Sequence, residues 1–324
     1  MPANDSMPSV WSRRSLLVAL AAGSVTALSG CGVQLEQGAP RIPLVPTRVP
    51  MKDEKALLVV LRRTVSLKAL AGAAGGTSTS MAGRLLAIHA TQVAVIARLL
   101  RDGGVPQSLG APTPTSTTPT STRPTATTRP TPPLAPGAVL SAAEGDSVGE
   151  VALADLATAH VALIGSMLAQ RIASATLLGG TTPPVLLSGP NSAEAVPLLE
   201  ATRATVYGFE IVAAQIDSNG RALAMSTLAS LRGRAADLQT LAGPAVAPPP
   251  LGYELPFRVT DSRSARRLGR QLLESLLTAH AAALEPATGQ TTALAALVQW
   301  LGATEVLATR WGAPLAAFPG LTNG

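Results

Sequence analysis

Among 324 residues there is one cysteine, and the aromatic side chains are three Trp, three Phe and two Tyr. A single thiol excludes an internal disulfide. Scarce aromatics argue against a β-sandwich, whose strands draw on Tyr, Phe, Trp and Ile. They also argue against a basic surface studded with aromatics, so nucleic acid is not an expected partner. Charged residues make up only 14%. No Gly-x-x-x-x-Gly-Lys occurs, so Gly75-Gly76 and Gly179-Gly180 read as punctuation rather than phosphate loops. Three histidines among many Ser and Asp carry no triad spacing. What is abundant is Ala, Leu and Val, within a hydrophobic share of 47%. Ala has the highest intrinsic helix propensity. The expected fold class is therefore all-α, held by packing alone.

The first thirty residues read as a leader. Residues 1–14 end on Arg13 and Arg14, residues 16–28 form a short apolar core, and Ser29-Gly30 offers a small-residue cleavage site. That core falls short of the roughly 20 apolar residues of a membrane span, so residues 1–30 are expected to be a signal peptide. Ser12-Arg13-Arg14-Ser15-Leu16-Leu17 fits the twin-arginine export pattern, although Arg pairs also occur in general export signals. Leu28-Ser29-Gly30-Cys31 resembles the bacterial lipobox, which implies that Cys31 carries a diacylglycerol and becomes the mature N-terminus. The competing account is an uncleaved amphiphilic helix with an incidental Cys31. Residues 31–50 follow as an extended tether, because Pro40, Pro43, Pro46 and Pro50 forbid regular helix. The expected location is the extracytoplasmic face of the cell membrane, lipid-anchored.

The formal charge of +6 becomes +5 once Asp5, Arg13 and Arg14 leave with the leader. Residues 51–178 hold eleven Lys/Arg against seven Asp/Glu, whereas residues 191–321 hold ten of each. A mildly basic first half is compatible with anionic head groups, but solvated surface charge is the simpler account.

Residues 51–180 are expected to form a first helical domain. One helix covers about residues 53–70, with Leu58, Leu61 and Val65 on its apolar stripe. A second follows Ser80 and ends at Gly103-Gly104; Leu86, His89, Val93, Ile96 and Leu100 are spaced to share one face. Residues 111–137 are a Pro/Thr-rich insert with almost nothing apolar, expected to be disordered. A third helix is expected from about Val148 to Leu178, with His160 on the stripe of Leu153, Leu156, Leu163 and Met167. Pro183-Pro184 and Gly189-Pro190 then mark a domain boundary.

Residues 191–321 read as four helices, over about 195–217, 221–242, 261–284 and 291–310. Two short turns join them in pairs, and a long proline-bearing connection over 244–260 joins the pairs. That is the connectivity of a ferritin-like bundle with one crossover. The stretch Tyr253-Glu254-Leu255-Pro256-Phe257-Arg258-Val259-Thr260-Asp261, then Ser264-Ala265, and the ending Ala317-Phe318-Pro319-Gly320-Leu321 add a resemblance. They resemble a bacterial ferritin-like domain family of unknown function, typical of high-GC Gram-positive lipoproteins. The resemblance implies a four-helix fold and no established activity.

A di-iron bundle needs a Glu from each of two helices and a Glu-x-x-His pair from each of the other two. The sequence lacks that set. Residues 221–242 contain neither Glu nor His, and Glu305 is followed at i+3 by Ala308. Glu274 is spaced to pair with Arg270, and Glu210 falls on the flank of its stripe. Glu305 falls at core spacing after Leu294, Val298 and Leu301, where a bond to an Arg or Tyr across the bundle is expected. His89 and His160 are candidates for a facing bis-imidazole pair, with hydrogen-bonded core histidines as the simpler account; His280 reads as a packed boundary residue. Trp300 and Trp311 are expected to cap the core. No catalytic residue, cofactor or metal site is assigned. The expectation is a non-enzymatic, lipid-anchored envelope scaffold with an unidentified protein partner. A metal or haem protein using an atypical His/Glu set, or a binder of a small apolar ligand, are the alternatives.

Overall fold

The computed structural model describes residues 48–110, 135–181, 189–244 and 246–321. Arg13, Arg14, Cys31, the tether up to residue 47 and residues 111–134 of the insert lie outside the described residues. The described residues are helical, without a strand: α1 (Glu54–Ala74), α2 (Met81–Asp102), the single turn α3 (Gln107–Gly110), α4 (Pro136–Asp146), α5 (Thr158–Leu177), α6 (Ser192–Gln215), α7 (Ser218–Ala242), α8 (Ser262–Ala282) and α9 (Thr291–Arg310).

Helix starts follow the side chains that satisfy free backbone N–H groups. Ser80, Asn191, Asp217 and Asp261 each accept from an amide three residues on, contributing about 1 kcal/mol apiece. Asp261 and Ser264 close a full capping box, which gives the crossover motif a structural reason.

Two local expectations need correction. The Pro/Thr-rich insert does not run to residue 137, because α4 starts at Pro136, where a missing N–H costs nothing. Nor does one helix run from Val148 to Leu178. Residues 147–149 and 153–155 are 3-10 turns, and α5 begins at Thr158. Two long-range bonds account for the break. Arg171 Nη1 donates to the Ser147 carbonyl at 3.3 Å, and Asp53 Oδ2 accepts the Ala157 amide at 2.7 Å, so that N–H is not free for an α-helical partner.

The two expected helical regions, 51–180 and 191–321, lie within one compact unit of the described residues from Pro50 on. The reason is α5. From Ile164 to Ala175 every residue is buried, polar Ser166, Gln170, Arg171 and Ser174 included, so this helix is enclosed on all sides and sits inside the body rather than on an amphipathic surface. It packs against α4 and against α9. The approach to α9 depends on Gly302, where a Cβ would stand 2.8 Å from the Ala169 carbonyl oxygen. One contiguous core therefore runs from Leu57 and Ile96 through Ile164 to Leu301 and Phe318.

Within residues 191–321, α6 packs on α7, α8 on α9, and α6 on α8, joined by the expected long crossover. Phe209 and Trp311 meet edge to face at 5.2 Å in this core. Tyr253 of the crossover lies 5.8 Å from Tyr207, and Arg267 sits 3.8 Å over the Phe257 ring, so the crossover is packed down by its own motif.

Candidate functional site

The densest polar region of the interior lies among α1, α2, α4 and α5. His89 is fully buried, with Nε2 2.7 Å from Glu144 Oε1 and Nδ1 3.1 Å from Gln92 Oε1. The Gln92 amide N–H groups donate to Gln170 Oε1 at 3.0 Å and to the Ala317 carbonyl at 2.8 Å. Gln92 Oε1 is then an acceptor, so His89 Nδ1 donates to it and one proton lies between His89 Nε2 and Glu144. Arg171, 1% exposed, donates from Nη2 to Thr64 Oγ1 at 2.8 Å. Burial pushes its guanidinium down to about 10, opposed by the charge of Glu144, so it stays a cation at neutral pH. Glu144 Oε2 and Arg171 Nε are buried without hydrogen-bond partners. This region ties helices together, and a buried charge of one sign is balanced by the other.

The two histidines do not face one another, contrary to the bis-imidazole expectation. His160 is bound through Nδ1 to Asp53 Oδ2 at 2.7 Å, the same oxygen that takes the Ala157 amide. Asp53 holds this position with a left-handed backbone (φ 63°), the one non-glycine residue of that kind among those described. Each imidazole is thus paired with its own carboxylate at a different place. The α2 stripe is also rotated from its expected setting: Leu85, Ile88, His89 and Gln92 face inward, and Leu86 is exposed.

The polar groups of the C-terminal core are arranged differently. His280 is fully buried, with Nδ1 3.3 Å from Thr304 Oγ1. The Thr304 hydroxyl already donates to the Trp300 carbonyl, so it accepts from His280 Nδ1 and leaves Nε2 as a bare acceptor without a partner. Burial and the charge of Arg234 press His280 down to about 3. Arg234 stacks 4.4 Å over Trp300, while its Nε and Nη1, and Trp300 Nε1, have no hydrogen-bond partner. Trp311 Nε1, by contrast, donates to Thr227 at 3.0 Å.

Glu305 is 1% exposed, as its core spacing implied, but its partner is neither Arg nor Tyr. Oε1 accepts the Ala316 backbone N–H at 2.7 Å. Burial raises the carboxyl to about 7, helped by nearby Glu274. Glu274 itself lies 3.8 Å from Arg270, and Glu210 is bound to Arg232 at 2.7 Å on the surface. The terminal motif holds the assembly closed: Ala317 O takes Gln92, Pro319 O takes Ser166 Oγ at 2.8 Å, and Gly320 (φ 75°) leaves no room for a Cβ against the Leu277 carbonyl.

Crossover and terminal segment are thus the parts that fix the geometry of α6 to α9. Residues 195–323 match the domain of unknown function DUF4439. No curated protein and no solved structure matches the chain. The DUF4439 region does not fit a di-iron centre. Its second helix, α7, lacks Glu and His, and Glu210, Glu274 and Glu305 are bound at separate places, to Arg232, Arg270 and the Ala316 amide. Among the described residues no group of three His, Cys, Asp or Glu side chains is placed to hold a metal ion. Cys31, Arg13 and Arg14 lie outside the described residues. Sequence reasoning missed Asp53, Glu144, Arg171 and Arg234. The available signal was polar residues inside apolar runs, such as Gln170-Arg171 within α5.

Proposed function

We propose that the chain is a non-catalytic, lipid-anchored scaffold or interaction module on the extracytoplasmic face of the membrane. Arg13 and Arg14 direct export and Cys31 carries the lipid. The supporting observation is that interior ionisable groups tie helices together: His89 with Glu144, His160 with Asp53, and Arg171 with Thr64 and Ser147. Such ties suit a rigid body that presents a fixed surface to a partner. Leu28-Ser29-Gly30-Cys31 supports the anchor. Detergent phase partitioning of wild type against Cys31→Ser tests it; equal partitioning of the two into the aqueous phase overturns the anchor. Cross-linking in the native membrane, with the partner expected to co-purify from wild type only, tests the module.

A second reading, a binder of a small apolar ligand, is favoured by a cavity of about 390 Å³ between α6 and α8, walled by Pro197, Leu198, Ala279, Ala282, Ala283 and Pro286. Mass spectrometry of an organic extract of native protein distinguishes it. The metal or haem reading has no support from His89 and His160, which are taken by separate carboxylates, and among the described residues His280 has no second His or carboxylate bonded to it.

A further inference from the structure

Beneath the terminal loop lies a cavity of about 220 Å³, formed by α8, α9 and residues 313–321. Leu277, Pro314, Phe318 and Leu321 form the apolar part of its wall, and Thr278 is its uncharged polar side chain. Glu305 is part of that wall although only 1% of its surface is exposed. The Ala316 N–H fixes its carboxyl through Oε1, and among the described residues no group bonds the second oxygen. The other charged residue of the lining, Glu274, is also acidic. Residues 313–321 carry no charge, and the remaining charged residue of α9 is Arg310, which is exposed. On α8, Arg270 meets Glu274 only at 3.8 Å, with both side chains half exposed.

The volume equals that of about seven water molecules, enough for a polar head and a stem of four or five heavy atoms. A buried carboxyl facing such a space is left either protonated or ionised at high cost, unless a cation enters with it. We propose that this cavity binds a primary ammonium or guanidinium group on a short aliphatic stem, with Glu305 as the buried counter-ion, Glu274 as the second acceptor and the apolar wall receiving the stem. A charge-assisted bond from N–H to the free Glu305 oxygen satisfies both partners. The burial that raises Glu305 to about 7 leaves it readily ionised when a cation arrives at neutral pH.

The test uses the full chain at neutral pH, titrated with n-butylammonium and n-butylguanidinium chloride, with n-butanol and sodium chloride as controls. The Ala316 amide and the Glu305 side-chain carboxyl are followed by NMR. Binding is expected to shift the Ala316 amide saturably and to lower the Glu305 midpoint by a pH unit or more. Glu305→Gln, which keeps the acceptor for Ala316, is expected to abolish the response while remaining folded. Glu274→Gln is expected to weaken binding by no more than roughly fivefold, the range of one half-exposed ion pair. No saturable shift at tens of millimolar, equal binding by Glu305→Gln, or an equal response to n-butanol would each overturn the proposal.

Discussion

The seam among α1, α2, α4 and α5 and the core of the DUF4439 region bury comparable polar groups and treat them in opposite ways. In the seam, His89, Gln92, Gln170 and Thr64 pass hydrogen bonds from helix to helix, and Glu144 stands near Arg171. In the DUF4439 core, His280, Trp300 and Arg234 lie together and leave four nitrogens without partners. A polar side chain can be buried as a connector or as a space-filling body. The two uses differ in how much breaking one partner costs.

The largest effect is expected in the seam. Glu144→Leu removes the carboxylate bound to His89 and leaves Arg171 as a buried cation without that counter-charge, and is expected to cost about 3–5 kcal/mol, read from urea unfolding. Arg171→Leu combined with Glu144→Leu is expected to recover much of that loss. A single variant within 1 kcal/mol of wild type would mean that the seam is no more connected than the DUF4439 core.

The second prediction uses two buried titratable groups of the DUF4439 region, with opposite signs. Glu305 is raised from 4.5 to about 7, so the folded state holds its proton longer and stability falls as pH rises through that window. His280 is lowered from 6.5 to about 3, so the folded state resists its proton and stability falls as pH drops through that window. Between pH 4.5 and 6.5 the two slopes oppose one another. In Glu305→Gln only the His280 slope remains. Stability relative to wild type is then expected to climb by about 3 kcal/mol from pH 4.5 to 6.5, the product of two pH units and the linkage slope. Parallel curves for the two proteins would show that Glu305 titrates normally.

The smallest effect compares two tryptophans. Trp311→Phe loses the bond to Thr227 and leaves that hydroxyl buried, expected at about 1–2 kcal/mol beyond the change in ring size. Trp300→Phe removes an N–H that bonds to nothing, so the polar part of its cost is expected near zero. Equal losses on denaturant unfolding would erase the distinction.

The helices were largely legible from the sequence. Ser80 and Asp261 announce their helix starts, and Gly103-Gly104 and Gly243-Pro244 announce ends, because capping is a local interaction, whereas Asn191 and Asp217 cap α6 and α7 about three residues ahead of the starts expected at 195 and 221. What was not legible is non-local. Asp53 meets His160 across 107 residues and His89 meets Glu144 across 55, and no spacing rule links such positions. The central place of α5 was hidden for a related reason. A helix buried on all sides shows no 3.6-residue alternation, so nothing in its sequence tells that it is enclosed by α4 and α9. Glu305 was half legible: its spacing gave burial, while its partner, a backbone amide eleven residues on, lies past the end of the helix.

The clasp made by residues 317–320 bears on how the chain is born. Gln92 and Ser166 complete their bonds only with carbonyls 225 and 153 positions further on. While the ribosome is still making α9, Gln92 and Ser166 lack these partners, so this part of the packing closes only once residues 317–320 have been made. The last described turn of the chain is thus the latch for helices laid down far earlier.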